Sequence, residues 1–399
     1  MGESKNIPVQ QILYVSPGPD PFNLAFGGSQ RSNLLLQACS RCGQVDVICF
    51  RELDASLIQS MSETGIQIIY AKSHKRQTVD ENHRDKFRNL ISFWKKGVFP
   101  LDPGKESVID SFVRQKRYDW IVTRYMEDAM AYGLPKYADR LVVDIDDSPV
   151  DKVLDSVKRA RTKRKKVYLW FYAQATRKAL RSFIGHVAVT FFSNRQQALD
   201  YHTGYLPNIP FGTVDAREVS SDKIHRGRLL FVGLLAYYPN VLGIDRFLTR
   251  VYPFLKRKDL EVHICGIGLD ERMKAKWSAI EGVKIPGFVE DLVPEYAGAE
   301  IVVIPIYHGA GTCIKVLEAM QMRRLVVTTP KGARGYDGFL SPDEDYLLAE
   351  DDRSFIALLD NALGNVQLQE KITEHAAKVV DTCFNKSVVF DIVKNALSG

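Results

Sequence analysis

Short apolar runs alternate with amphipathic segments along the whole chain. Each run is five to seven residues long and rich in Val, Ile, Leu and Phe, which is typical of strands buried on both faces of a parallel sheet. The runs lie at 11–16, 45–50, 66–70, 119–123, 140–146, 187–192, 228–233, 260–266, 299–305 and 324–329. Helical patterns fill most of the intervals between them. We therefore predict an α/β protein with two doubly wound, Rossmann-like domains.

A Pro- and Gly-containing break at 206–212 (LPNIPFG) interrupts this alternation near the middle of the chain. A chain of 399 residues is expected to divide, because one core stops growing efficiently beyond roughly 250 residues. We place an N-terminal Rossmann-like, acceptor-side domain at 1–207 and a C-terminal Rossmann-like domain at 208–380. Residues 381–399 form a helix that we expect to cross back to the first domain. A cleft between two such domains is the expected ligand site.

The composition excludes a disordered or fibrous chain, since 45% of the residues are hydrophobic and 26% are charged. No apolar stretch approaches the roughly 20 residues that span a bilayer. The polar start MGESKNIPVQQ lacks the apolar block of a signal peptide, so we expect a cytoplasmic protein. The six cysteines are scattered and predict neither a disulfide framework nor, at Cys39 and Cys42, a complete metal site.

Basic residues are concentrated in one half of the chain. The formal charge is +6, with the basic excess in residues 1–207 and a small acidic excess in the remainder. The run KRARTKRKK at 158–166 has seven basic residues and precedes the aromatic-rich VYLWFY, a combination that suits an anionic membrane surface on the acceptor side. We expect this patch to comprise Lys163, Arg164, Lys165, Lys166 and Trp94. The alternatives are a solvated helix followed by a core helix, and a nucleic-acid-binding face, for which no reader motif is present.

The segment YAGAEIVVIPIYHGAGTCIKVLEAM at 296–320 carries the most chemical information. A buried strand precedes the small-residue loop 308–311, and Thr312 is a suitable N-cap for a helix starting near residue 313. The glycines allow close approach of the backbone, and a helix start favours an anion such as a diphosphate. Glu318 can accept two hydrogen bonds, which fits the vicinal hydroxyls of a ribose. The alternative is a plain βα turn in which Glu318 pairs with Lys315 on the surface.

The string PIYHGAGTCIKVLEAM at 305–320, followed by VVTTPKGARGY at 326–336, resembles the nucleotide-sugar-binding signature of the family-4 (group 1) retaining glycosyltransferases. LLFVG at 229–233, VHICGIG at 262–268 and PGFVEDL at 286–292 occur in the family's order. The resemblance implies the GT-B fold, in which two Rossmann-like domains face a cleft. It also implies a glycosyltransferase that transfers sugar from a nucleotide-sugar donor with retention of configuration, and no cofactor besides that donor.

The resemblance assigns roles by position. Glu318 would bind the donor ribose, and Gly287, Phe288 and Val289 would border the nucleobase, with core packing as the alternative for Phe288. The diphosphate and sugar would be contacted by a continuous set of residues before and within the helix start. This set comprises His308, Gly309, Gly311, Thr312, Cys313, Ile314 and Lys315. In the first domain, Gly27 and Gly28 would approach the phosphates or the acceptor, and Asp146 would be a polar contact to the donor sugar or acceptor.

Three positions depart from the family's pattern. The Glu expected eight residues before Glu318 is Ala310, the Arg expected after the first glycine of the second domain is Leu234, and the Lys that should follow is Pro239 or Asn240. A sugar anchor and the usual cationic phosphate clamp are thus missing. These losses keep open the alternative of a catalytically impaired or partner-dependent relative.

A diphosphate in a partly dry site still needs positive charge, so we expect Lys315, Arg334 or Lys331 to supply it. Asp144 and Asp146 allow a metal-dependent alternative of the GT-A kind, in which carboxylates hold a divalent ion on the diphosphate. We favour metal-independent transfer, because a GT-A enzyme would not need a second α/β domain with this signature.

The resemblance also implies partners. We expect a nucleotide-sugar donor, a saccharide or lipid-linked acceptor and no nucleic acid. The expected setting is cell-surface polysaccharide or glycolipid synthesis, on the inner face of the membrane as a peripheral protein.

Overall fold

The computed structural model describes residues 10–398, except 17, 19, 23–26, 74–100, 211–219 and 310. The chain divides into two compact units. Unit 1 comprises Met1–Pro207 and Lys386–Gly399, and unit 2 comprises Asn208–Asn385. The sequence-based boundary after residue 380 falls inside a helix of unit 2, Val366–Cys383, and the last segment therefore starts at Lys386 instead of 381.

The described part of unit 1 is built on a seven-stranded parallel sheet in the order β3-β2-β1-β4-β5-β6-β7. Its strands are β1 Gln10–Val15, β2 Gly43–Cys49, β3 Ile66–Ala71, β4 Trp120–Arg124, β5 Leu141–Asp146, β6 Val189–Phe192 and β7 Gly204–Tyr205. Its helices up to residue 207 are α1 Gly27–Ser40, α2 Ala55–Glu63, α3 Pro103–Gln115, α4 Met126–Ala131, α5 Pro149–Arg159, α6 Lys163–Ile184 and α7 Arg195–Tyr201, with a 3-10 helix at Leu134–Arg140.

The sheet of unit 1 is covered on both faces. The interior strand β1 has no exposed side chain from Ile12 to Val15, and one continuous core packs strand residues against helices α4 and α6. The chain builds the sheet outward from β1 to β3 and then returns to place β4 beside β1. The order therefore reverses between β1 and β4, and the loops at the carboxyl ends of these strands flank the usual ligand crevice of such sheets.

Unit 2 repeats this plan with a six-stranded parallel sheet in the order β10-β9-β8-β11-β12-β13, within the described residues. Its strands are β8 Arg228–Val232, β9 Glu261–Cys265, β10 Val283–Gly287, β11 Ile301–Ile304, β12 Leu325–Thr328 and β13 Leu347–Leu348. Its helices are α8 Tyr238–Arg250, α9 Glu271–Ser278, α10 Val293–Gly298, α11 Ile314–Gln321, α12 Asp352–Ala362 and α13 Val366–Cys383, with 3-10 helices at Ser221–Lys223 and Tyr252–Phe254. The order reverses between β8 and β11.

The last helix, α14 (Lys386–Leu397), belongs to unit 1. It packs against α1, where the Arg41 guanidinium lies 4.1 Å from the centre of the Phe390 ring. The Trp120 indole N–H also donates to the Leu397 carbonyl oxygen at 2.8 Å.

The α/β class and both parallel sheets agree with the sequence-based prediction, and each of the ten apolar runs overlaps a strand. Three strands were not predicted. β7 and β13 have two residues each, and Lys284 and Pro286 interrupt the apolar character of β10. Among the described residues, no helix combines the length and the apolar character needed to cross a bilayer.

Candidate functional site

The loop between β11 and α11 lies at the reversal point of the unit 2 sheet and turns at two glycines. Gly309 and Gly311 have φ angles of 107° and 86°, which side-chain-bearing residues rarely adopt. A Cβ atom at Gly309 would also lie 2.9 Å from the Tyr237 hydroxyl oxygen. The shape of this loop therefore depends on glycine at both positions.

Helix α11 begins at Ile314, with Cys313 as an N-cap residue that makes no side-chain capping bond. The expectation that Thr312 caps the helix is wrong, because the helix starts too late and the Thr312 hydroxyl instead accepts a hydrogen bond from Asn208 Nδ2. In the described part of the chain, the first N–H group of the helix with an acceptor is that of Val316, which donates to the Cys313 carbonyl oxygen at 2.9 Å. The first turn is thus uncapped, and uncapped N–H groups favour an anion.

Arg334 holds the loop between β11 and α11 by donating hydrogen bonds to the loop's backbone carbonyl groups. Its Nη1 donates to the Gly309 carbonyl oxygen at 3.2 Å, and its Nη2 donates to the Gly311 carbonyl oxygen. The side chain was expected to bind phosphate directly. Two of its five N–H donors hold the backbone in position, and its contact with phosphate stays a prediction.

Lys315 lies where the two loops at the reversal point meet. Its Nζ donates to Asn240 Oδ1 at 3.1 Å, lies 5.2 Å from the centre of the Phe231 ring, and is 3.2 Å from the position of a Cβ atom at Gly233. Asn240 in turn donates to the Leu234 carbonyl oxygen at 2.8 Å. Among the described residues Lys315 forms no ion pair, and it lies beside the segment that carries Leu234 and Asn240.

Glu318 is half-buried on the same helix, one turn after Lys315. Its Oε2 accepts a hydrogen bond of 3.4 Å from the Tyr296 hydroxyl. Burial raises the pKa of Glu318, and the charge of Lys315 and the Tyr296 hydrogen bond offset only part of that shift. Its other oxygen, Oε1, makes no hydrogen bond within the described residues. Because Glu318 is not a surface partner of Lys315, the alternative of a plain surface ion pair is wrong.

The residues expected near the nucleobase lie at the end of β10 and directly after it. Gly287 has a φ of 80° at the end of β10, and its carbonyl oxygen accepts from the Gly266 N–H at 2.8 Å. Phe288 is 68% exposed, so it does not pack in the core. Val289 is half-buried and His308 is exposed.

In unit 1, Asp144 and Asp146 at the end of β5 belong to a buried ionic network. Arg31 donates to both carboxylate oxygens of Asp144 at 2.8 Å, and Arg124 donates to Asp144 Oδ2 at 2.7 Å and to Asp146 Oδ2 at 2.8 Å. Burial alone would raise the pKa of Asp144, but the two guanidinium groups lower it to about 2. The network occupies the carboxylates that the metal-dependent alternative requires.

Asp146 is the partly accessible member of this network, with 15% of its side chain exposed. Its φ of 66° is unusual for a residue with a side chain, and such backbone strain is frequent at functional positions. In the described residues, no group of three or more His, Cys, Asp or Glu side chains is arranged to hold a metal ion.

The sequence pattern suggested that Gly27 and Gly28 lie in a loop. In the structure they belong to the first turn of α1. The Gly28 carbonyl oxygen accepts from Arg124 Nη1 at 2.6 Å, which ties the helix start to the ionic network. The neighbouring residues 23–26 are outside the described part of the chain.

Sequence reasoning missed Arg31 and Arg124. Arg124 ends a buried strand and Arg31 lies in the first turns of an ordinary helix, so neither has a periodic or motif signal. The sequence offered one hint for Arg124, which is a charged residue directly after the apolar run 119–123.

The basic patch lies at the start of α6. Lys163, Arg164, Lys165 and Lys166 are all exposed, and the exposed surface continues through the aromatic residues that follow them. Residues 163–184 form one helix that is exposed at its start and buried from Ala173 onward. This arrangement agrees with the alternative of a solvated segment followed by a core helix, and membrane binding stays a prediction. Trp94, the fifth member of the predicted patch, lies outside the described residues.

The two doubly wound units define the GT-B fold. A glycosyltransferase from Rickettsia africae ESF-5 has this architecture with a TM-score of 0.65, 13% identity and coverage of 98% of this chain and 100% of that chain. Alr3699/HepE from Anabaena, solved with UDP and glucose, gives a TM-score of 0.62 and 12% identity, with coverage of 98% and 99%.

Residues 226–363 match the family model of the glycosyl transferases group 1. A relative from Klebsiella pneumoniae, described as an uncharacterised 44.6 kDa protein in the cps region, is 27% identical over 179 residues. That alignment spans 43% of this chain and 46% of the relative, so less than half of the relative's length is matched.

Proposed function

We propose that the protein is a glycosyltransferase that moves a sugar from a nucleotide-sugar donor to a saccharide or lipid-linked acceptor, with retention of anomeric configuration. The observation that carries this proposal is the start of α11, where an uncapped helix turn, the ammonium group of Lys315 and the carboxylate of Glu318 lie on one helix. These groups suit a diphosphate next to a ribose. The group 1 match of residues 226–363 and the UDP and glucose in the HepE structure support this donor class.

Each part of the nucleotide-sugar, from the ribose to the sugar, is matched by a protein residue of suitable chemistry. Glu318 accepts hydrogen bonds from the ribose hydroxyls, and Lys315 pairs with the diphosphate beside the N–H groups of residues 311–314. Arg334 keeps the loop in its ligand-binding shape. The exposed ring of Phe288 offers a face to the nucleobase, next to Gly287 and Val289. The exposed imidazole of His308 contacts the transferred sugar of the donor.

The chemical step breaks the bond between the anomeric carbon and the diphosphate oxygen and forms a bond from that carbon to the acceptor oxygen. In a front-face displacement, the acceptor's proton passes to the departing phosphate, and no protein nucleophile is needed. Negative charge grows on the leaving diphosphate, and Lys315 and the helix N–H groups stabilise it. Asp146, held by Arg124, accepts a hydrogen bond from a hydroxyl of the donor sugar or acceptor.

We propose that transfer needs no metal ion, because Lys315 supplies positive charge and two arginines occupy Asp144. Transfer that persists in excess chelator is the expected result. Complete loss that manganese restores would contradict it.

The proposed setting is cell-surface polysaccharide or glycolipid synthesis, by a cytoplasmic protein held on the inner face of the membrane. The similarity to a protein of a cps region supports this setting. The exposed cations at the start of α6 support the membrane association.

The donor class is tested by a thermal-shift screen of UDP-, GDP- and related sugar nucleotides, followed by transfer assays with the donor that binds. A ligand that binds only the native state raises its stability with occupancy. Glu318→Ala should abolish the shift of the wild-type donor, whereas Glu374→Ala, which removes an exposed carboxylate of α13, should keep it. An unchanged shift in Glu318→Ala would remove this residue from the site.

A second candidate is a relative that binds donor but is impaired or depends on a partner, and the departures at Ala310 and Leu234 favour it. A donor-induced shift without transfer or donor hydrolysis by the purified protein would support this candidate. Turnover would exclude it.

A further inference from the structure

Asn240 lies in the first turn of helix α8 and is buried, with 4% of its surface exposed. Its backbone N–H donates to the Tyr237 carbonyl oxygen at 3.0 Å, which closes the turn. A buried side-chain amide is costly unless its polar atoms find hydrogen-bond partners. The partners of the Asn240 amide therefore decide how this side chain is oriented.

The two ends of the Asn240 amide bind two different parts of the site. Nδ2 donates to the Leu234 carbonyl oxygen at 2.8 Å, and Oδ1 accepts from Lys315 Nζ at 3.1 Å. The reversed amide would place its NH₂ group against the ammonium and its oxygen against the carbonyl, and neither pair can form a hydrogen bond. The amide is thus held in one orientation, with its oxygen towards Lys315.

Gly233 leaves the space that this arrangement needs. A Cβ atom at position 233 would lie 2.9 Å from Asn240 Nδ2 and 3.2 Å from Lys315 Nζ. On another side, Nζ lies 5.2 Å from the centre of the Phe231 ring, a distance at which an aromatic ring attracts a cation. The ammonium group is therefore confined by an amide oxygen, an aromatic ring and a stretch of backbone without a side chain.

The amide orients the ammonium group without cancelling its charge. An ammonium group has three N–H donors, and within the described residues one of them has an acceptor, which is Asn240 Oδ1. A carboxylate in this place would form an ion pair with Lys315, whereas a neutral amide leaves the positive charge intact. Holding a long side chain before the ligand arrives also removes part of the entropy cost of binding.

We propose that Asn240 is a positioning residue, which holds the charged Lys315 ready for the diphosphate of the donor. This inference rests on the proposed function, in which that diphosphate binds at the start of α11. The segment that carries Leu234 and Asn240 has no cation at these two positions, and it receives one from α11 through the Asn240 amide.

The test measures the affinities of UDP, GDP and ADP, each beside its nucleoside, by calorimetry in wild type, Asn240→Ala, Asn240→Asp and Lys315→Met. Asn240→Ala releases the lysine and should weaken the diphosphate that wild type binds about two- to tenfold. Asn240→Asp pairs with Lys315 and neutralises it, so it should weaken that diphosphate roughly 10- to 100-fold. The affinity for the nucleoside should not change, because it has no phosphate for Lys315 to bind.

A matched control adds the same negative charge elsewhere in unit 2. Asn361→Asp changes an exposed residue of α12 and should leave all these affinities unchanged. Asn240→Asp should keep the fold, since an acidic residue in the first turn of a helix is favoured by the helix dipole. Thermal unfolding without ligand checks that both variants are folded.

A double-mutant cycle separates positioning from general support of the structure. Once Lys315 is replaced by Met, Asn240→Asp should have no further effect on the diphosphate affinity. An additive loss in the double variant, an equal loss for diphosphate and nucleoside, or full diphosphate affinity in Asn240→Asp or Lys315→Met would overturn the proposal and leave the donor class intact. A wild type that binds none of the three diphosphates would overturn both this proposal and the proposed function.

Discussion

The two sheets carry charged residues at their carboxyl edges, but they use them in opposite ways. In unit 1, Arg31 and Arg124 are buried against Asp144 and Asp146, and the network balances two positive with two negative charges. In unit 2, Lys315 donates to the neutral Asn240 and forms no ion pair among the described residues. In unit 1 the charges of the network are therefore neutralised by one another within the fold. The second holds, within the described residues, a positive charge without an ion pair on a helix whose start lacks a side-chain cap.

The comparison separates residues that maintain structure from residues available for chemistry. A buried pair loses much of its Coulomb energy to desolvation, yet removing one partner leaves a buried charge uncompensated. A partly exposed cation without a charged partner, by contrast, has no opposite charge that its removal would leave uncompensated. Variants of the two edges should therefore differ in whether they affect folding or ligand binding.

The largest effect is expected in the unit 1 network. Arg124→Met removes hydrogen bonds to Asp144, Asp146, Gly28 and Ser32, and should lower the free energy of unfolding by about 3–5 kcal/mol. Denaturant titration measures it. Arg246→Met is the matched control, because Arg246 pairs with Asp352 while 38% exposed, and it should lose at most about 1 kcal/mol. Equal losses in both variants would contradict the structural role of the network.

The same network predicts a pH dependence. The pKa of Asp144 is lowered from 3.8 to about 2 in the folded protein. A carboxyl whose pKa is lower in the folded than in the unfolded state contributes stability that is present above the unfolded value and lost as pH falls towards the folded value. The Asp144 contribution should therefore be complete above about pH 5 and decline between pH 4 and pH 2. The difference between wild type and Asp144→Asn should shrink over that range.

The smaller effect is expected at Glu318 and has the opposite sign. Its pKa is raised by burial, so the folded state disfavours the ionised form, and stability falls as pH rises from the unfolded to the folded pKa. Glu318→Gln should consequently leave the free energy of unfolding at pH 7 unchanged or raise it by up to about 1 kcal/mol, while donor binding is lost. A clear loss of stability would mean that Glu318 supports the fold and is not reserved for the ligand.

The fold was predictable because buried parallel strands leave continuous apolar runs, as QILYVS does for β1 and AEIVVIP does for β11. The loop after β11 was predictable because its glycines and the string KVLEAM lie close together in sequence. The end of the first domain also left a local mark in LPNIPFG.

Other features depend on residues distant in sequence and could not be predicted locally. The network joins Arg31 to Asp144 and Arg124 to Gly28, and no local pattern encodes such contacts. Thr312 has the composition of an N-cap, but Asn208, about a hundred residues away, engages its hydroxyl. Three candidate cations for the diphosphate were equivalent in sequence, and only the contacts of Arg334 with the loop carbonyls and of Lys315 with Asn240 distinguish two of them.

The most direct test of the account measures the affinities of a nucleoside, its monophosphate and its diphosphate for wild type, Lys315→Met and Lys315→Arg by calorimetry, with the base identified in the donor screen. A charged hydrogen bond contributes about 1.5–3 kcal/mol, so Lys315→Met should weaken the diphosphate roughly 10- to 150-fold. The affinity for the nucleoside should not change, and Lys315→Arg should retain part of the diphosphate affinity. An unchanged diphosphate affinity in Lys315→Met, or an equal loss for all three ligands, would contradict the claim that Lys315 binds the donor diphosphate.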